Sequence, residues 1–170
     1  MNKVEDLMTK RKWVKHCLRT NCAAPEDCVM TTGNIKVAKI YSNLLWQRDK
    51  EPELYDAIRD IAPEWWEGET RIILNKDLVA RRHKDGNKGH SWVLWLGDFT
   101  SGGGLNFDDG SKIEGKYKWF KIDGQDHHWN DPHEGGTKYS IVLFRNEQKP
   151  KCNTLNEAKR KKREAQKAAG

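Results

Sequence analysis

The chain has 170 residues, with 31 Lys/Arg against 25 Asp/Glu and a net charge of +6. That length makes one domain rather than two, and 36% hydrophobic content with eight Trp excludes a disordered polymer. Charged residues make up 33%, and no run of about 18 apolar residues occurs, which excludes a membrane-spanning helix.

The opening residues, MNKVEDLMTKRKW, lack the apolar stretch of a secretory signal. The expected setting is therefore the reducing interior of a cell: cytoplasm, nucleus, or a host cell if the protein is virus-encoded. There the four cysteines are expected as thiols. Cys17, Cys22, Cys28 and Cys152, with His16, are zinc-ligand types, but no C-x-x-C knuckle is present. Free thiols are the expectation.

In chain order, Val4–Leu18 is a charged amphipathic stretch and is predicted helical. The segment EPELYDAIRDIA (51–62) places Leu54, Ile58 and Ile61 at helical spacing, with Pro52 suited to the first turn and Pro63 to the stop. Trp65 and Trp66 follow and are expected mainly in packing, with stacking on a nucleic-acid base as the functional alternative. From residue 70 the texture becomes short strand-like runs: Arg71–Leu74, Ser91–Leu96, Tyr117–Ile122 and Tyr139–Phe144. Turns rich in Gly and Asp separate them, at Asp85–Gly89, Ser101–Gly104, Asp108–Gly115, Asp123–Gln125 and Glu134–Gly136. Trp92 and Trp95 lie in a strand run and read as core or pocket wall. Gly102, Gly103 and Gly104 read as a tight bend, because no Lys-Ser/Thr follows to make a phosphate loop. His90 has no evident partner.

The charge is uneven. From Lys149 to Gly170 there are eight Lys/Arg and two Glu, a net of +6, so residues 1–148 are neutral, with 23 charges of each sign. Thr154–Ala169 reads as a helix, with Thr154 as N-cap and Glu157 closing a capping box. The tail is either a phosphate-binding arm, sensitive to salt and blind to sequence, or a solvated extension. Helices followed by spaced strands imply an α+β fold with a sandwich or jelly roll. The expected organisation is one domain over 1–148, helical over 1–69 and a strand core over 70–148, then the basic tail 149–170.

The strand half carries the chemistry. In His83-Lys84-Asp85, positions i and i+2 of an extended segment face one side, so the two side chains can converge. A second His would complete a two-His, one-carboxylate face, which suits non-haem Fe(II) that activates O₂. His127, His128 and His133 are the candidates. Downstream, Lys138 and Ser140 are again i and i+2, a cation and a hydroxyl able to hold the distal carboxylate of a co-substrate such as 2-oxoglutarate.

The stretch ILNKDLVARRHKDGNKGHSWVLWLGDFTSGGGLNF (73–107), with HHWNDPHEGGTKYSIVLF (127–144), resembles the Fe(II)/2-oxoglutarate dioxygenases of the TET/JBP type. SNLLWQRDKEPELYDAIRDIAP (42–63) resembles the helix before their core, so the resemblance covers roughly 42–145. It implies a double-stranded β-helix (jelly-roll) core with N-terminal helices. It also implies Fe(II), 2-oxoglutarate and O₂, and oxidation of the methyl group of 5-methylcytosine or thymine in DNA. Carried over by position, His83, Asp85 and His128 resemble the metal ligands, with His127 an adjacent candidate and His133 the least favoured. Lys138 and Ser140 resemble the co-substrate pair, with Lys where the family often has Arg. Asn75 and Asn87 resemble polar residues near the pocket, in co-substrate or substrate contact, and Trp129, which follows His128, is expected to line the pocket on the substrate side. DNA is the implied partner, held partly through the tail.

Two other functions compete. One keeps the chemistry but acts on a protein side chain, a nucleoside or a small metabolite. The other is a catalytically silent jelly-roll module that binds nucleic acid.

Overall fold

The computed structural model describes residues 1–13, 40–42, 51–80, 82–145 and 163–169. Helix α1 (Asn2–Lys10) buries Val4 and Met8, one turn apart on one face. It is shorter than the predicted Val4–Leu18. Arg11 turns extended and pairs with Glu51 through two hydrogen bonds of 2.8 and 2.9 Å, which leads the chain away from the helix axis. Residues 14–18 lie outside the described residues. Helix α2 (Pro52–Ile61) follows the prediction closely, burying Leu54, Tyr55, Ala57 and Ile58. It stops at Ala62 because a residue before proline is pushed from helical to extended backbone.

The described strands are β1 (Ile40–Ser42), β2 (Arg71–Lys76), β3 (Ser91–Leu96), β4 (Ser101–Gly102), β5 (Leu105–Phe107), β6 (Lys112–Ile113), β7 (Trp119–Ile122), β8 (His128–Asn130), β9 (His133–Glu134) and β10 (Tyr139–Phe144). One antiparallel sheet has the order β1-β2-β10-β3-β7. In it Ser140 lies between Asn75 and Trp95, and Ile141 between Leu74 and Leu94. A second sheet has the order β6-β5-β8, and an antiparallel bridge from His83 to His128 extends it. β4 and β9 form a separate pair.

Side-chain alternation divides the large sheet into two faces. On one, Ile72, Leu74, Leu94, Leu96, Ile141 and Leu143 pack with Val4, Met8, Leu54, Tyr55 and Ile58 of the helices. On the other, Val93, Trp95 and Ile122 pack with Phe99 and Leu105 from the opposite side of the roll. β3 and β10 are buried on both faces, so their sequences are near-continuous apolar runs. The result is a jelly roll with helices on its outer face, the fold class expected.

Several boundaries differ from the sequence reading. The run predicted from Tyr117 begins at Trp119, because Tyr117 has φ +63°, a left-handed conformation that breaks a strand. Ser101–Gly104, Asp108–Gly115 and Glu134–Gly136, read as turns, each contain a two-residue strand or part of one. Of the predicted tail helix, residues 163–169 are helical and exposed, while 146–162 lie outside the described residues. Cys17, Cys22, Cys28 and Cys152 lie outside them as well, and so does the zinc question. Among the described residues no helix is long and apolar enough to cross a membrane.

Candidate active site

His83 and His128 are joined across the second sheet by paired backbone hydrogen bonds of 3.0 and 2.9 Å. Residues paired this way present their side chains on the same face, and the two rings meet edge to face at 4.5 Å. Asp85, two residues after His83, is tied by its N–H to the carbonyl of Gly124 at 2.6 Å. Its carboxylate comes to 3.4 Å from His83 Nε2 through Oδ1 and to 3.4 Å from His128 Nε2 through Oδ2. One ligand atom from each residue lies within 4.8 Å of the others, the one such His/Cys/Asp/Glu group among the described residues.

The hydrogen bonding of His128 fits a metal ligand. Its Nδ1 lies 2.7 Å from the carbonyl of Asp126, and a carbonyl only accepts. Nδ1 therefore carries a proton, which leaves Nε2, the nitrogen facing Asp85, as the one that could bind a metal once it gives up its own proton. His128 is only 3% exposed, which with this bond fixes the orientation of its ring. Burial acts to raise the Asp85 carboxyl, but the hydrogen bonds and charge of His128 and His83 outweigh it and hold the group well below the usual carboxylate range. At His128 burial acts downward, and Asp85 with the Asp126 carbonyl wins, moving it up. Two nitrogens and a carboxylate held ionised are a donor set for a divalent transition metal, with positions left for other ligands.

Gly124 packs directly on this group. A Cβ there would sit 3.1 Å from Asp85 Oδ2 and 3.2 Å from Asn87 Nδ2. Asn87 is buried behind the loop, where it donates to Ser91 Oγ at 3.2 Å and accepts from Gln125 through its carbonyl at 2.9 Å. Trp129 is half-buried, and strand alternation turns its ring to the face of β8 opposite His128. His127 points toward Asp108, 3.9 Å away, which is also bound by Arg82. His133 lies against Asp77 and Gly136, at 3.2 Å from each.

Lys138 and Ser140 face the interior of the roll. Lys138 is 3% exposed. Its ammonium donates to the carbonyl of Gly103 at 2.5 Å and lies 5.3 Å from the centre of the Trp95 ring. Gly103 has φ +76°, and a side chain there would meet Lys138 Nζ at 3.0 Å, so the close approach requires glycine. No carboxylate lies within ion-pair distance of this ammonium among the described residues. Burial pushes Lys138 down to about 8. Beside it Ser140 Oγ accepts from Asn75 Nδ2 at 3.2 Å, and Asn75 Oδ1 is buried without a hydrogen-bond partner. A buried cation without a counter-ion, beside the Ser140 hydroxyl and the Asn75 Nδ2 amide, has the donors to hold an anion such as a carboxylate.

Other singled-out residues serve packing. His90 has a partner the sequence did not suggest, Glu64, at 2.5 Å, and Trp92 Nε1 donates to the same oxygen at 2.9 Å. Trp65 meets Tyr55 edge-on at 5.5 Å, and Trp66 lies under Arg145 at 4.5 Å. Sequence reasoning missed Asp77 and the Asp126 carbonyl. The first lies within the 73–107 stretch, just after β2, with no motif to single it out. The second acts through backbone, which a sequence does not display.

No protein-family model matches the sequence, and no curated protein matches it. Similar solved structures include NgTET1 in complex with 5mC DNA, with a TM-score of 0.52 and 15% identity over 76% of this chain and 71% of that one. They also include an oxidoreductase of the 2OG-Fe(II) oxygenase family from Burkholderia pseudomallei, with a TM-score of 0.50 and 12% identity over 87% and 81%. At these identities the likeness is one of backbone architecture. The chain has the jelly-roll fold that the 2OG-Fe(II) oxygenases use.

Proposed function

We propose that the protein is an Fe(II)/2-oxoglutarate-dependent dioxygenase that hydroxylates a substrate C–H. One observation carries this reading: His83, Asp85 and His128 converge in the same roll that holds the buried Lys138 without a counter-ion. His83 Nε2, Asp85 and His128 Nε2 would hold the metal. Lys138 and Ser140, with Asn75, would hold the distal carboxylate of 2-oxoglutarate. When bound, Fe(II), 2-oxoglutarate and O₂ supply the oxidising chemistry, with succinate and CO₂ as co-products of the hydroxylated substrate.

The chain's own residues do the positioning. The Asp126 carbonyl sets the His128 tautomer. Gly124 keeps room beside Asp85, and Asn87 braces the loop that carries it. Lys138 orients the co-substrate by one charge on a compact head, without the two-point fork of Arg. Trp95 and the apolar inner face keep water from that charge, which strengthens its hold on an anion. No protein nucleophile is needed.

For the substrate we favour the methyl group of a pyrimidine base in DNA. The resemblance over 42–145, the backbone likeness to NgTET1 and the basic tail 149–170 support it. A base in a duplex must leave the stack to reach a buried metal, which requires a grip on the phosphate backbone. The working unit in this reading is a single domain over 1–148 with the tail as its arm, acting inside a cell. The neutral charge of 1–148 favours a second reading, hydroxylation of a protein side chain or small molecule.

Anaerobic titration with Fe(II) and 2-oxoglutarate tests the chemistry. A weak visible charge-transfer band is expected, lost in His83→Ala, Asp85→Ala and His128→Ala. A folded protein that gives no band would refute the proposal. Product analysis on methylated and unmodified DNA then separates the two substrate readings.

A further inference from the structure

Asp77 follows β2 with φ +52°, a conformation uncommon outside glycine. Its N–H donates to the Lys138 carbonyl at 2.8 Å, and its Oδ1 accepts from the Lys138 N–H at 2.9 Å. Both backbone polar groups of Lys138 are thus held by one residue. The same Oδ1 lies 3.2 Å from His133 Nε2, whose ring meets Phe99 edge to face at 5.8 Å.

The charges that reach the Lys138 ammonium come from Asp77 after β2, Asp131 before β9 and Glu114 after β6. Asp131 is already bound by Lys112 at 2.7 Å and Asn106 at 2.8 Å, and Glu114 lies 3.5 Å from the same Lys112. Trp95 from β3 and the Gly103 carbonyl complete the surroundings. Among the described residues, Asp77 is the one carboxylate of the three with no Lys or Arg partner.

We propose that Asp77 is a positioning residue of the Lys138 site: it fixes the start of β10 through both backbone groups of Lys138 and, with its Oδ1 shared between that N–H and His133, supplies a carboxylate that makes no ion pair with the ammonium, keeping that cation available for a dicarboxylate. The inference rests on the reading that Lys138 receives 2-oxoglutarate. Burial drives a lysine toward its neutral form, and a neutral amine does not hold a carboxylate. Asp77 opposes that drive without forming an ion pair with the ammonium.

The test is 2-oxoglutarate binding to Mn(II)-loaded protein, which does not turn over, followed by calorimetry from pH 6.5 to 9. Asp77→Asn removes the charge, while asparagine tolerates the left-handed backbone and can still accept from the Lys138 N–H. In the parent protein affinity should fall as the pH passes through about 8. In Asp77→Asn the fall should begin about one pH unit lower, giving roughly tenfold weaker binding at pH 8.5 and undiminished binding at pH 6.5. Asp77→Gly, which accepts the backbone at no steric cost, should show the same shift with some weakening throughout. Superimposable profiles for parent and Asp77→Asn would overturn the proposal. So would weakening by an equal factor at every pH, the mark of a merely structural role. A parent protein that binds no 2-oxoglutarate at any pH would overturn the co-substrate reading, and this inference with it.

Discussion

The His128 ring donates its Nδ1 proton to the main-chain carbonyl of Asp126, 2.7 Å away. That bond sets which nitrogen faces the Asp85 carboxylate, and backbone geometry supplies it. The bridge from His83 to His128 then fixes the second ring, and the tie from Asp85 to Gly124 fixes the carboxylate. Three donors are held in place by the same hydrogen bonds that close the second sheet, so the site is assembled by folding.

A preassembled site should couple metal binding to stability. At a divalent metal concentration about 100 times the dissociation constant, the gain is about 2.7 kcal/mol. For a chain of this size that raises Tm by roughly 5 to 10 °C. Anaerobic thermal melts with Fe(II), or aerobic melts with Mn(II), should show this rise in the parent protein and none in Asp85→Ala. An equal rise in both would place the metal elsewhere.

Lys138 should cost the protein stability in the absence of an anion. Its group is lowered from 10.5 to about 8 by burial, so the unfolded chain binds the extra proton across that interval. Stability therefore increases as pH rises from about 8 to 10.5, and the full burden is carried below 8. Lys138→Met should stabilise the protein at pH 7 by roughly 1 to 3 kcal/mol and abolish that pH slope. The same variant should lose 2-oxoglutarate binding. Urea melts at pH 7 and 10 with and without 2-oxoglutarate measure all three effects.

Asn75 should act on the co-substrate alone. Its Nδ2 bonds Ser140 at 3.2 Å and its Oδ1 is buried without a partner. Asn75→Ala removes the Nδ2 amide, which braces Ser140 and has a second N–H to donate, so it should weaken 2-oxoglutarate binding by about tenfold, the effect of one hydrogen bond to a charged group. Metal binding, followed by the Mn(II)-induced rise in Tm, should be unchanged.

The long strands were legible in the sequence because they are buried on both faces: SWVLWL and YSIVLF begin and end where β3 and β10 do. Helix α2 was legible from its two prolines and the spacing of Leu54 and Ile58. The strands β4, β6 and β9 were not, since each is two residues long and sits among glycines and aspartates. At the site, spacing brought His83 and Asp85 together but left three histidines open. It took the resemblance to point to His128, and the bridge to His83 supplies the physical reason. Asp77 left no trace, because its role depends on a positive φ and on a partner 61 residues away.

Core packing should be separable from chemistry. Leu94 is fully buried between the helices and the large sheet, on the face away from Trp95. Leu94→Ala should cost about 2 to 5 kcal/mol. Its metal-induced rise in Tm should match that of the parent protein, since Leu94 lies on the helix side and the ligand triad on the inner side. Loss of that rise in a variant that still folds would show that the two faces are coupled.

In the DNA reading, the tail is expected to supply the grip. Residues 149–170 hold the whole net charge of +6, so residues 1–148 by themselves are neutral. Each phosphate that the tail no longer neutralises should reduce the slope of log affinity against log salt by about 0.9 on duplex DNA. Removal of 149–170 should therefore flatten the salt dependence and weaken binding most at low salt, while the Fe(II)/2-oxoglutarate charge-transfer band persists. The two measurements together separate grip from chemistry. If affinity and slope are unchanged, DNA is held by a local patch on 1–148 despite its neutral sum. If DNA binding is absent even with the tail, the protein side chain or small molecule becomes the substrate to pursue.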